Sequence, residues 1–310
     1  MAGATRSLGC RRLLGTHLKD LLHTKHCVLF DCDGVIWNGD KAVAGAPEVV
    51  SLLKKRGKSV FFVTNNCTRS RDSYLSKFSR LGFCDVVQSD VVSSAYCSAI
   101  YLRDMAKVQG KVYVIGSDGV YTELYEAGVP VVGREPDVPG ATIYDCPLDS
   151  DVKAVLVGYD DKLNFLKLAK ACCYLRDPNC LFLATDGDPW HPRPRGRVSP
   201  GSGSLAAALE TAAERKATVI GKPSRFMFQC IVSRFGVDPA RTLMVGDRLE
   251  TDVLFGRSCG VDTVLALTGV STLQQALGYR DSTDPQGAAC VPDYVVDTVA
   301  DFLPALDEER

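Results

Sequence analysis

At 310 residues the chain is about twice the usual single-domain length, so it can bury a sizeable core and divide into two domains. Its 36 Lys and Arg against 37 Asp and Glu leave a formal net charge of -1, which removes the global electrostatic case for nucleic acid or an anionic membrane surface. Every apolar run is interrupted by Asp, Gly or Pro before the roughly 20 residues that cross a bilayer, so no membrane span is expected.

In chain order, the first 26 residues carry Arg6, Arg11, Arg12, Lys19 and Lys25 against Asp20 alone. That balance has some flavour of a mitochondrial transit peptide. The preferred reading is a helix through "HLKDLLHTKHC" that leads into the first strand. The 13 cysteines are scattered, follow no signal peptide and form no CxxC, which reads as free, mostly buried thiols in a cytosolic protein rather than a disulfide or zinc framework.

From there, short apolar runs alternate with helix-like segments: "CVLFD", "SVFFVTNN", "KVYVIG", "AVLVGYD", "CLFLATD", "TVIGKP", "TLMVGD", "VDTVLAL" and "PDYVVD". Unbroken apolar strands alternating with helices predict parallel sheets covered on both faces, hence an α/β fold. Several of the runs end in Asp, Asn or Gly. Ligands of open α/β sheets lie beyond the carboxyl ends of the strands, so these ends mark the candidate active edge. Between about Leu102 and Ser204 the stretches "GVPVVGREPDVPGATIYDCP" and "DGDPWHPRPRGRVSPGSGS" read as loops between shorter elements. The expected organisation is a core domain built from residues 1–100 and 206–310, with a second α/β domain inserted at 101–205.

The chemistry concentrates in four places. In "CVLFDCDGVIW", Asp31 and Asp33 leave a buried strand one residue apart, and if the strand persists both face the same side. Two carboxylates about 4 Å apart repel by roughly 4 kcal/mol at an effective dielectric of 20 and need a cation or a shared proton. Mg²⁺ suits hard oxygen ligands and keeps positions for water and phosphate. "TLMVGDRLETD" supplies Asp247 and Asp252 at another strand end. Each aspartate alone would be read as a helix cap or turn residue; the combination points to metal-assisted phosphoryl transfer. Asp31 is then the nucleophile that forms an aspartyl-phosphate, and Asp33 the general acid and base. Thr64, Asn65 and Asn66 of "FVTNN" offer donors to phosphate oxygens, and Lys222 of "IGKPS" a cation.

"DCDGVIW", "VTNN", "GKPS" and "GDRLETD" stand in the order and spacing of the four motifs of the haloacid dehalogenase superfamily of phosphatases, and the chain resembles that family over nearly its whole length. The insertion resembles the large α/β cap of the class that includes phosphoglycolate and pyridoxal phosphatases. The resemblance implies a Rossmann-like parallel-sheet core with an inserted α/β cap. It implies Mg²⁺ bound by the Asp31 and Asp247 carboxylates and the Asp33 main-chain carbonyl, with Asp252 in support. Lys222 would hold phosphate and nucleophile, and Thr64 to Asn66 would cradle the phosphate. Thr64 stands where such sequences often carry serine, and keeps the hydroxyl.

For the substrate, "DPWHP" resembles the cap segment that places a histidine over the ring of pyridoxal 5'-phosphate, so His191 is the expected substrate contact. An imidazole suits a pyridine ring better than a two-carbon acid. Trp190 is read as a packing residue, and Arg193, Arg195 and Arg197 as a solvated charged edge. The alternatives are phosphoglycolate as substrate, a minor activity on a cytoskeletal phosphoprotein of the cofilin type, and, from another class, a non-catalytic phosphate-binding scaffold for cytoskeletal partners. The presence of Asp31, Asp33, Lys222, Asp247 and Asp252 argues against the scaffold. A homodimer through the cap is implied by the resemblance alone.

Overall fold

The computed structural model describes residues 9–134 and 142–307. The beginning of the basic N-terminal stretch and part of the first Pro/Gly-rich segment therefore lie outside the described residues. The chain forms two compact units: Met1–Val63, Leu75–Val91 and Phe228–Arg310 make one, and Thr64–Tyr74 with Val92–Met227 the other. Each of the nine apolar runs contains a strand.

The first unit is organised on a seven-stranded sheet. Its order is Arg11–Arg12, Tyr294–Val296, Asp262–Ala266, Thr242–Gly246, Cys27–Phe30, Ser59–Thr64 and Val91–Ser93. The pairings from Arg11–Arg12 through Ser59–Thr64 are all parallel. Cys27–Phe30 and Thr242–Gly246 are buried at every residue, as strands covered on both faces must be, which explains their unbroken apolar sequences. The helix Ala46–Lys55 starts with Pro47 in its first turn and ends on Lys54 and Lys55, matching the helix dipole. It buries Val49, Val50 and Leu53 along one stripe. The helix Gly15–Thr24 likewise buries Leu18, Leu21 and Leu22, as the reading of "HLKDLLHTKHC" anticipates.

The second unit carries a five-stranded, all-parallel sheet in the order Thr218–Val219, Leu181–Ala184, Val152–Val157, Lys111–Ile115 and Val131–Val132. Tyr113, Val155, Leu175, Phe182 and Leu209 belong to its core. The helix Phe165–Leu175 is capped by Asn164, whose side chain accepts from the Lys167 amide at 2.9 Å. The helix Asp118–Glu126 places Glu123 in the interior, where it accepts from the Arg71 amide at 2.6 Å and Arg71 Nε at 2.9 Å. The Arg71 guanidinium also lies 4.0 Å from the centre of the Tyr96 ring.

Both Pro- and Gly-rich stretches depart from their reading as loop, the first because it supplies the edge strand Val131–Val132. "DGDPWHPRPRGRVSPGSGS" is not all loop: Trp190–Arg193 pairs antiparallel with Arg197–Pro200. The turn works because Arg195 and Gly196 both take left-handed conformations, φ 62° and 69°, so three residues close the hairpin. Pro192 and Pro200 cannot donate to a ladder, but a two-stranded ribbon has edges on which this is tolerated.

The buried Arg71–Glu123 pair gives a stability prediction. Glu123→Ala leaves a guanidinium without its interior partner and should cost about 3 kcal/mol in urea unfolding. Glu126→Ala, which removes the more exposed partner at 3.2 Å, should cost less than about 1 kcal/mol.

Candidate active site

In the first unit Cys27–Phe30 and Thr242–Gly246 are adjacent, with Phe30 opposite Val245. Asp31 is the next residue out from Phe30, level with Gly246, and Asp247 follows one residue beyond, so both leave the same sheet edge within one residue of each other. The Asp31 amide donates to the Val245 carbonyl at 2.9 Å, carrying the ladder one rung further. Asp252 arrives on the π turn Leu249–Val253, where its Oδ2 accepts from the amides of Asp247 at 3.1 Å and Arg248 at 3.0 Å. One carboxylate oxygen from each of Asp31, Asp247 and Asp252 falls within 4.8 Å of the other two, and all three residues are buried.

Three glycines make room for this trio. A Cβ on Gly34 or Gly269 would collide with the Asp247 carboxylate, and one on Gly246 with the Asp252 side chain. Gly34 also holds φ 91°, a left-handed conformation costly to any other residue. The Val270 amide donates to Asp247 Oδ2 at 2.7 Å, the Ser271 amide to the Asp247 carbonyl at 2.9 Å, and the Leu249 amide to Ser271 Oγ at 3.1 Å. Backbone donors orient the carboxylates but do not cancel their charge. Buried, anionic and made of hard oxygens, the set fits a divalent cation of the Mg²⁺ type.

Asp33 is held apart from the trio. The strand ends at Phe30, and the Gly34 amide closes a turn onto the Trp37 carbonyl at 2.8 Å. Asp33 Oδ1 accepts from the Trp37 indole at 2.9 Å and stands 4.0 Å from Lys77 Nζ. The condition for a shared strand face, that the strand persist through Asp33, is not met.

The second unit contains the remaining residues. Thr64 Oγ1 accepts from the Asn66 amide at 3.1 Å, and Asn66 Oδ1 accepts from the Thr68 amide and hydroxyl at 3.1 and 2.7 Å. Asn65 is engaged on both ends: its Nδ2 donates to the Lys222 carbonyl at 3.0 Å and its Oδ1 accepts from the Lys222 amide at 2.8 Å. The side chain that the sequence offers to phosphate oxygens thus holds the main chain of Lys222 across 157 positions. A Cβ at Gly221 would strike Asn65 Oδ1 at 2.6 Å, which is why the residue before Lys222 is glycine. Lys222 itself is 1% exposed.

Sequence reasoning missed Asp186 and Asp188, which look in "ATDGDP" like turn residues. Asp186 is buried, accepting from Thr185 Oγ1 at 2.8 Å and the Asp188 amide at 3.2 Å. Burial, then the neighbouring Asp188 charge, push its carboxyl up to about 7. Cys67 shows the same effect, its buried thiol raised to about 11 by desolvation. His191 sits in the hairpin with its ring 5.8 Å from that of Tyr159, at 65°. Arg193 is exposed, as a solvated edge requires, and also donates to Tyr159 Oη at 2.8 Å and to Ser199 Oγ at 2.9 Å. Trp190 is 40% exposed rather than packed away.

A parallel sheet whose adjacent strands deliver Asp31 and Asp247 to one edge, with Asp252 behind them, is the frame of one hydrolase family. The chain belongs to the haloacid dehalogenase-like hydrolases, whose sequence profile matches residues 28–130, while the related HAD-hydrolase-like profile matches residues 219–302. It is a phosphoric monoester hydrolase, with an α/β core and an α/β cap. Chronophin of Bos taurus is 48% identical over 303 residues, covering 96% of this chain and 99% of that protein. Glycerol-3-phosphate phosphatase of Gallus gallus is 46% identical over 310 residues, covering 98% and 99%. Among solved structures, a glycerol phosphate phosphatase of Mycobacterium tuberculosis in complex with magnesium superposes with a TM-score of 0.75 at 29% identity, over 91% of this chain and 77% of that one.

The raised Asp186 carboxyl has a signed consequence. Because its folded pKa lies above the unfolded value, the native state holds an extra proton between about pH 4 and pH 7, and stability falls as pH rises through that window. Asp186→Asn should flatten this decline when unfolding is followed by chemical denaturation across pH 4–8.

Proposed function

We propose that the chain is a Mg²⁺-dependent phosphatase that hydrolyses pyridoxal 5'-phosphate through an aspartyl-phosphate on Asp31. The observation that carries the reading is the buried trio of Asp31, Asp247 and Asp252. Asp31 attacks phosphorus as the ester P–O bond breaks, and Asp33 gives a proton to the departing oxygen. Asp33 then takes a proton from the water that attacks phosphorus, releasing phosphate and regenerating Asp31. Mg²⁺, held by the Asp31 and Asp247 carboxylates and the Asp33 main-chain carbonyl, would supply Lewis-acid stabilisation of the phosphoryl oxygens. Asp252 keeps the Asp247 loop in place through its two amide hydrogen bonds. Lys222 offsets phosphate charge, its main chain fixed by Asn65, while Thr64 and the backbone of Asn65 and Asn66 supply further donors.

Substrate choice is assigned to the cap inserted at 101–205. His191 meets the pyridine ring, braced by Tyr159 and Arg193. The 48% identity to chronophin supports this reading. A second reading, glycerol-3-phosphate or another small aliphatic phosphate such as phosphoglycolate, is supported by the 46% identity to glycerol-3-phosphate phosphatase. A cytosolic homodimer through the cap and a minor action on a cytoskeletal phosphoprotein complete the proposal.

A kcat/KM comparison of pyridoxal 5'-phosphate, glycerol-3-phosphate and phosphoglycolate decides between the readings, with pyridoxal 5'-phosphate expected to lead. His191→Ala should raise KM for pyridoxal 5'-phosphate about tenfold while leaving p-nitrophenyl phosphate within about twofold. Equal effects on the two would remove the histidine from substrate selection.

A further inference from the structure

Asp33 leaves the sheet edge on a turn, and its side chain is 45% exposed. An aspartate so placed ordinarily samples several rotamers, which is poor preparation for a group that must meet two different reacting oxygens. Two neighbours restrain it. Trp37 follows four residues later, with the Gly34 turn bringing its backbone beside that of Asp33. Its indole is fully buried, edge-on to Phe78 at 4.9 Å and to Phe83 at 6.2 Å, so the core fixes where the indole N–H points. That N–H donates to Asp33 Oδ1 at 2.9 Å.

Lys77 comes from the helix Arg71–Arg80 and is 5% exposed. Burying an ammonium is costly unless opposite charge or a π face meets it. Here Nζ lies 4.1 Å from the centre of the Trp37 ring and 4.0 Å from Asp33 Oδ1. The indole therefore has a double contact, its edge donating to the carboxylate and its face receiving the cation that attends the same oxygen.

We infer that Trp37 and Lys77 are positioning residues for Asp33, anchoring Oδ1 so that proton exchange with the reacting oxygens runs through Oδ2. The inference rests on the general acid and base role of Asp33 proposed above. In the first half-reaction the proton on Oδ2 passes to the ester oxygen as that oxygen takes the electron pair of the breaking P–O bond. In the second, the same oxygen receives a proton from the attacking water. A purely structural pair, in which Trp37 fills the core and Lys77 neutralises a surface charge, has no reason to discriminate between esters.

Leaving-group dependence separates the two roles. An alkyl alkoxide departs only with a proton, whereas p-nitrophenolate departs without one, and kcat/KM reports the step in which that bond breaks. Trp37→Phe keeps an aromatic ring in the core but removes the donor and part of the indole face; Lys77→Met keeps the stem and removes the charge. In full-length protein with Mg²⁺, each should lower kcat/KM for an alkyl phosphate about tenfold or more, since general acid catalysis contributes roughly 10²–10⁴. The loss on p-nitrophenyl phosphate should stay below about threefold. Lys77→Arg should recover most of the alkyl phosphate activity, and Trp37→Phe should add little in an Asp33→Asn background. Uniform loss on both esters, or no loss, in folded variants would overturn the inference. Should Trp37→Phe fail to fold, Lys77→Met decides the matter. If Asp33→Asn itself lacks leaving-group discrimination, the acid and base role falls, and the inference with it; if Asp33→Asn discriminates and the Trp37 and Lys77 variants do not, only the inference falls.

Discussion

Mutual repulsion among three buried carboxylates is the constraint on which the first unit turns. Asp31, Asp247 and Asp252 bring oxygens within 4.8 Å of one another in a site shielded from water. The amides of Asp247 and Arg248 donate to Asp252 and the Val270 amide to Asp247, and a backbone amide orients a carboxylate without neutralising it. The fold holds the charges together by continuous sheet on one side, through the Phe30 and Val245 register, and by glycines at 34, 246 and 269 that leave space only for carboxylate oxygens. Such an arrangement costs folding energy that an opposite charge offsets, and the hard oxygens suit a divalent cation in that role.

The second unit meets a related problem with protons and hydrogen bonds. Asp186 and Asp188 are both buried, and the desolvated Asp186 escapes repulsion by holding its proton toward neutral pH. Lys222 is nearly sealed from solvent, and its backbone is fixed by the Asn65 amide in the manner of one rung of a sheet. These devices place functional groups on main chain that cannot drift, which is what a site relying on electrostatic preorganisation requires.

Much of this was legible in the sequence for a simple reason. A strand buried on both faces must be apolar throughout, so each apolar run announced a strand, and the polar residue that ended it marked the candidate active edge. Asp31 and Asp247 were visible as breaks in "CVLF" and "TLMVG". What stayed hidden depends on contacts between distant segments. That Asp33 turns to Trp37 and Lys77 follows from the Gly34 turn and from a helix more than forty residues on. The engagement of Asn65 with Lys222 spans 157 positions and has no local signature. The hairpin that carries His191 was masked by its prolines, which signal loop unless the left-handed pair at Arg195 and Gly196 is known.

The repulsion itself can be measured. Thermal unfolding of metal-stripped wild type and Asp247→Asn, with and without Mg²⁺ at saturating concentration, separates the cost of the like charges from the gain on binding. At about a hundred times Kd a ligand adds roughly 2.7 kcal/mol to the state it binds. Wild type should melt several degrees higher with Mg²⁺, while Asp247→Asn should start above metal-free wild type and gain little. A metal-free variant less stable than metal-free wild type, or an equal Mg²⁺ shift in both proteins, would contradict the account.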